Sequence, residues 1–401
     1  MKPAPPDPVY TFRPSVPEQH LPQEGRLEIT SLCALPEDCI AVANCVGYIG
    51  IWSLDDFREK TSWRVTSTLE SVLRTAWLPI DGTLASEWNP TQSNTTRGRL
   101  WTQGRDNLLK IWRFDSVSGR ALPDLEMEIV VESLTFCMFE WTTYNGWILV
   151  AHSVCDKAEQ WALKALKYET RTGEWTQRTV LSSVMPKTKN GMMMRLGLSL
   201  CEGKGCESGL FVLAAYEGGD LITFLIPAST LERLNDPDDF TIRTRCLEDT
   251  VSEIASIKAH PEPILSLSVH DLRPSNDEMY TLIMGTCSVD SEIQLLALKK
   301  INDFPQVISA EKSSAGHNTL LFRPDGKLLA VGGFDGHVRI YSTRSKGNKR
   351  RLKLLCVLKA HSERAGDVCF VMRGDEGSSP LKKNMFVVGG RDGKVSIWEI
   401  Y

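Results

Sequence analysis

No stretch of this 401-residue chain approaches the ~18 consecutive apolar residues of a membrane-crossing helix, so no such span is expected. Nor do the first residues, Met1-Lys2-Pro3-Ala4-Pro5-Pro6-Asp7-Pro8, carry the apolar core of a secretory signal; residues 1–8 read as a disordered lead-in. Eleven cysteines include no CxxC pair, and the spacings Cys33–Cys39–Cys45 and Cys201–Cys206 fit no zinc knuckle. Most lie in apolar runs such as Leu32-Cys33-Ala34-Leu35 and Val368-Cys369-Phe370, where a reduced thiol acts as a small hydrophobe. A soluble, intracellular chain is expected, which leaves the sequon Asn94-Thr95-Thr96 silent. Neither sign of charge dominates: 46 Lys and Arg against 50 Asp and Glu give 46 − 50 = −4. Nothing in that balance recruits nucleic acid or an anionic membrane. The seven histidines never fall at metal-ligand spacing, and no GxxxxGK[ST] loop or GxGxxG after a strand is present. No catalytic residue, metal or cofactor is expected. Helical periodicity is nearly absent.

What the chain does have is one sentence repeated. In Leu328-Leu329-Ala330-Val331-Gly332-Gly333-Phe334-Asp335-Gly336-His337-Val338-Arg339-Ile340-Tyr341, two apolar strands flank an Asp-Gly pair suited to a tight hairpin turn. It recurs as Val387-Val388-Gly389-Gly390-Arg391-Asp392-Gly393-Lys394-Val395-Ser396-Ile397-Trp398 and as Gln103-Gly104-Arg105-Asp106-Asn107-Leu108-Leu109-Lys110-Ile111-Trp112. The aspartate precedes the aromatic by six: 106 to 112, 335 to 341, 392 to 398, with Asp290 to Leu296 a fourth copy. Weaker copies end at Trp52 (Val46 at the aspartate place), Trp161 and Phe224, which makes seven. A second marker, His260, His317 and His361 in Ala-His or Gly-His pairs, stands one or two dozen residues before an aspartate of the first. Repetition of His and Asp argues for structure, since a hydrolase needs a single strained constellation.

A Gly-His or Ala-His element, paired strands, an Asp-Gly turn and a closing Ile-Trp resemble the WD repeat, whose unit is one four-stranded propeller blade. The resemblance implies an all-β chain forming a single seven-bladed propeller over 9–401. Seven blades need roughly 315 residues. The surplus falls in insertions near 79–99, 228–252 and 373–383, all polar and turn-rich. Val9-Tyr10-Thr11-Phe12-Arg13 is a strand with no blade of its own and is expected to close the ring as the outer strand of the last blade. In WD-repeat families the loop histidine, turn aspartate and strand aromatic lock each blade. That implies His260 with Asp290, His317 with Asp335 and Tyr341, His361 with Asp392 and Trp398, and Asp106 with Trp112. In such a propeller the residue before each turn aspartate shares a face with the histidine loops. Arg105, Phe334 and Arg391 are therefore the candidate partner-binding residues, two cations flanking an aromatic.

Two further segments are open to more than one reading. Met192-Met193-Met194 suits a strand packed between blades better than an adaptable patch. The run from Arg344 to Lys353 holds six cations and no anion, as an import signal, an acidic-partner contact or a solvated hairpin would.

Several phrases are similar to one WD-repeat family, the fungal ASTRA-associated proteins and their animal relatives, the G-protein-β-subunit-like proteins. They are Thr102-Gln103-Gly104-Arg105-Asp106-Asn107 leading to Ile111-Trp112, Ser133-Leu134-Thr135-Phe136-Cys137, Gly191-Met192-Met193-Met194 before Ala214-Ala215-Tyr216-Glu217-Gly218-Gly219, and Ala315-Gly316-His317 before Gly333-Phe334-Asp335. Val46 and the long Trp77–Trp101 interval depart from the pattern in the first two blades. The resemblance implies a non-enzymatic subunit of a hetero-complex in nucleus and cytoplasm. Its partners would be Tel/Tti (TTT) co-chaperones in the maturation of phosphatidylinositol-kinase-like kinases such as TOR, with chromatin and telomere links. The alternative is a heterotrimeric-G-protein β subunit or another WD-repeat signalling scaffold, although the heptad helix of that β subunit has no counterpart in the Pro-rich start.

Overall fold

A computed structural model describes residues 7–22, 26–80, 98–114, 122–131, 135–154, 159–187, 190–201, 209–235, 251–272, 282–298, 305–346, 349–359, 361–372 and 384–400. Residues 1–6 of the expected lead-in, 81–97 and 236–250 of two insertions, and all of 373–383 lie outside these. Seven four-stranded antiparallel sheets follow one another along the chain. Within each blade the strands are lettered a to d from the axis outward. Blade 1 runs Ile29–Leu35, Cys39–Asn44, Tyr48–Ser53 and Glu59–Arg64. Blade 2 comprises Val72–Pro79, Gly98–Gly104, Leu108–Arg113 and Asp124–Val130. Blade 3 comprises Glu140–Tyr144, Trp147–Ser153, Trp161–Glu169 and Glu174–Val184. Blade 4 comprises Met193–Cys201, Gly209–Tyr216, Asp220–Pro227 and Ser252–Lys258. Blade 5 comprises Ile264–Asp271, Leu282–Ser288, Glu292–Leu298 and Gln306–Lys312. Blade 6 comprises His317–Phe322, Leu328–Gly333, His337–Ser342 and Lys353–Lys359. Blade 7 takes Ala365–Val371, Met385–Gly390 and Val395–Glu399 from the C-terminal region. Its outer strand is Tyr10–Phe12, with Tyr10 opposite Ile397 and Phe12 opposite Val395.

Because successive side chains on a strand point to opposite faces, each blade feeds two cores. Leu329 and Val331 pack toward blade 5, while Ala330 between them packs toward blade 7. Seven apolar clusters result, one at each blade-to-blade junction, and the seventh joins blade 7 to blade 1 through Phe12, Val387 and Ile397 against Ile29, Leu32 and Trp52. That junction closes the ring. Phe12 stacks on Trp52 at 3.8 Å between ring centroids, and Tyr10 on Phe57 at 4.5 Å. Polar bonds stitch the a strands around the axis. Ser31 Oγ lies 3.1 Å from Thr75 Oγ1, the Leu32 amide donates to Asp367 at 2.8 Å, and Arg74 is ion-paired with Glu140.

Six of the seven aromatic or leucine markers sit where the repeat places them, late in strand c: Trp52, Trp112, Phe224, Leu296, Tyr341 and Trp398. Trp161 does not. It opens strand c of blade 3, and register with strand b gives the equivalent place to Ala165, opposite Leu149. Met193 and Met194 are buried, Met193 in the core between blades 3 and 4, as a packed strand requires. Ser345–Lys346 and Lys349–Arg350 form a small hairpin inside the basic run.

Candidate protein-interaction face

One end of the ring is built from the b–c turns and the loops that carry the chain from strand d of one blade to strand a of the next. The third turn residue has positive φ in six blades: Gly47, Asn107, Gly219, Ser291, Gly336 and Gly393. Its carbonyl accepts from the following d–a loop, as Gly336 does from the His361 amide at 3.1 Å and Gly219 from the His260 amide at 3.1 Å. A Cβ at Gly336 or Gly219 would collide with the carbonyl of that histidine, so glycine there serves both the turn and the close approach.

Blade 7 holds the fullest version of the polar set. Trp398 Nε1 donates to Ser396 Oγ at 3.1 Å, Ser396 donates to His361 Nε2 at 3.2 Å, and His361 Nδ1 donates to Asp392 Oδ1 at 2.8 Å. A carboxylate can only accept, which assigns the imidazole proton to Nδ1. In blade 5 the order is Thr286 to His260 Nε2 at 3.0 Å and His260 Nδ1 to Asp290 at 2.9 Å. The hydroxyl has moved between strands: Thr286 is on strand b, Ser396 on strand c, and Ser396 pairs across from Val388 at the Thr286-equivalent place. Burial pushes the Asp392 carboxyl up. The His361 bond and charge and the amides of Ser362 and Lys394 outweigh it and hold the group at about 2.

His317 departs from the expected pairing with Asp335 and Tyr341. It sits within strand a, fully buried, and its Nε2 bonds the Ser313 hydroxyl at 2.9 Å. Ser313 directly follows strand d, as Ala259 does in the preceding loop, and its amide donates to Ser291 as that of Ala259 does to Gly219. Asp335 is instead gripped by Arg339, Nη2 to Oδ2 at 2.7 Å and Nη1 to Oδ1 at 3.2 Å. Blade 2 repeats this device. Lys110 bonds Asp106 at 2.8 Å and the Val65 carbonyl at 2.5 Å, Thr66 stands at the histidine place, and Trp112 Nε1 donates to Thr102 at 3.0 Å. Where the loop histidine is missing, the residue four after the turn aspartate is a buried long cation; where it is present, that residue is Gln294 or Ser396. In the sequence, the signal for Lys110 and Arg339 is their constant offset of four from Asp106 and Asp335.

The candidate binding residues all reach this face, in different states. Phe334 is 38% exposed, its ring lying against Gly316. Arg105 is exposed and stacks at 4.6 Å over the ring of Phe136, a loop residue that is itself 53% exposed. Arg391 approaches Glu28 at 3.8 Å and Glu363 at 4.0 Å, and the same two carboxylates pair with Arg364 and Arg26. Blade 1, with Cys45 and Val46 in its turn, separates Arg391 from Arg105. Leu69, Met185, Met192 and Val289 add exposed apolar surface on the same end of the ring. Among the described residues no group of His, Cys, Asp and Glu could hold a metal ion.

The family described as WD domain, G-beta repeat matches residues 309–342. That window begins in the outer strand of blade 5 and ends with strand c of blade 6. The repeat in sequence is thus offset by one strand from the blade in space, and an N-terminal strand must complete the last blade. The Saccharomyces cerevisiae protein Sqt1 has a similar solved structure, with TM-score 0.59 and 13% identity over 98% of this chain and 99% of that one. Among curated proteins, Schizosaccharomyces pombe ASTRA-associated protein 1 is 19% identical over 88% of this chain and 91% of its own. The Verticillium alfalfae protein of that name is 24% identical over 91% and 87%. The chain is similar to the ASTRA-associated proteins along most of its length. Mouse guanine nucleotide-binding protein subunit beta-like protein 1 is 24% identical over 76% of this chain and 74% of its own. The chain thus forms a seven-bladed propeller in which one stretch matches the WD domain, G-beta repeat family.

Proposed function

We propose that the chain is a non-catalytic subunit of an ASTRA-type assembly, present in nucleus and cytoplasm, which binds TTT-type co-chaperone proteins during maturation of phosphatidylinositol-kinase-like kinases. What carries the reading is the exposure of Phe136, Phe334, Val289 and Met192 on the loop-bearing end of the ring, with Arg105 stacked among them. Exposed aromatics beside arginine make up the composition of interaction hot spots. The similarity to ASTRA-associated proteins over most of the chain supports the choice of assembly. Arg391, already facing two carboxylates, contributes register more than affinity.

The test is affinity purification of the tagged chain with Arg105→Glu, Phe334→Ala and Arg391→Glu, each checked for an unchanged melting temperature. Recovery of Tel/Tti-like proteins by the wild type, and their loss with Phe334→Ala and Arg105→Glu, is the expected result. Recovery of a Gγ-like chain instead would favour the G-protein-β reading. Retention of the partners by all three folded variants would move the site to another face.

A further inference from the structure

Five outer strands carry one extra residue where they pass the marker position of strand c. The skipped residues in the register are Lys60, Glu126, Ile254, Ile308 and Leu355. Such a bulge turns two neighbouring side chains toward one side. Four of the five are used internally. Lys60 is ion-paired with Asp56, Glu126 bonds Arg99 at 2.8 Å and Trp175 at 3.1 Å, and Ile254 and Ile308 pack against the blade cores. Leu355 is the exception. It is 52% exposed and its neighbour Leu354 is 47% exposed, on the unpaired outer edge of blade 6.

The approach to this edge is the basic run. Leu352 is buried, and its amide donates to Ser309 Oγ of blade 5 at 3.0 Å, which fixes the chain there. Arg344, Arg351 and Lys353 are exposed, and none has a carboxylate partner among the described residues. An edge strand with two exposed leucines and adjacent cations is matched by an extended segment with acidic residues around an aliphatic pair. Phosphate polymers would use the cations but gain nothing from the leucines, and the run offers no aromatic for base stacking.

We propose that the outer edge of blade 6 accepts an acidic–aliphatic segment of a partner protein as a fifth strand, with Leu354 and Leu355 contacting its aliphatic residues and Arg351 and Lys353 its carboxylates. This edge is separate from the loop-bearing face, so either reading can fail alone. A random peptide library displayed on phage is selected on the full chain and counter-selected on Leu354→Ser/Leu355→Ser, with both proteins first shown to melt alike. The expected winners carry Asp or Glu flanking aliphatic residues. By fluorescence anisotropy the strongest should lose at least about tenfold in affinity to the serine variant and to Arg351→Glu/Lys353→Glu. No peptide that distinguishes the two proteins, or winners without that pattern, would overturn the proposal. So would an oligothymidine strand that binds through the cations, ignores the leucines and displaces the peptide.

Discussion

In blade 7 a continuous line of donors runs from Trp398 through Ser396 and His361 to Asp392, and each member is buried. Removing the last acceptor strands the His361 N–H and the Ser362 amide, so Asp392→Ala should cost about 1–3 kcal/mol in denaturant melts at neutral pH. The sign with pH follows from the carboxyl being held at about 2, below its ordinary 3.8. The stability it confers is complete above 3.8 and is lost as pH falls toward 2, so the wild type and the variant should converge in that window. An equal penalty at neutral pH and at about pH 2 would contradict the account. At this scale the sequence was readable where spacing was consistent. His260 and His361 stand 30 and 31 residues before their aspartates, whereas His317 is 335 − 317 = 18 before Asp335, too near to cross from one blade's loop to the next turn. Thr66, which stands at the histidine's place, carries no signal in a single sequence because threonine is common in loops.

At the scale of elements, three residues of the N-terminal region do the work of a whole strand. Phe12 is buried against Trp52 and shares its cluster with residues of blades 7 and 1. Phe12→Ala should therefore cost about 3 kcal/mol or more. Hydrogen exchange should quicken in Val395–Glu399 and Ile29–Leu35 ahead of the opposite blades, as it should when residues 1–13 are deleted; uniform loss around the ring would count against a local latch. The closing strand was legible because alternating Tyr10 and Phe12 had no blade of their own. Blade 3 was misplaced for the opposite reason. Without an aspartate to anchor the count, Trp161 looked like the closing aromatic, while its long c and d strands put Ala165 there. The bulges of the outer strands left no trace, since one inserted residue changes neither composition nor alternation over so short a span.

For the whole molecule, two histidines that belong to no blade set report on global integrity. Burial presses His152 and His317 down to about 4, with the charges of Lys164 and Arg339 respectively acting in the same direction. Their folded pKa lies below the ordinary 6.5, so the unfolded chain takes up protons first. Stability is complete above pH 6.5 and falls as pH drops toward 4, by on the order of 3 kcal/mol for each group at the lower end. Melting temperature measured across this range should decline, and His152→Gln or His317→Gln should flatten the decline; an unchanged slope in both would mean that these rings titrate freely.

The pairing of Tyr10 with Ile397 spans 397 − 10 = 387 positions. During synthesis at roughly 5–20 residues per second, the first strand made waits about 20–80 s for the last. For all that time blade 1 presents Ile29, Leu32 and Trp52 to solvent with no neighbour on that side. The nascent chain is then an open arc with a sticky end, and its yield should depend on whatever shields that end until translation finishes.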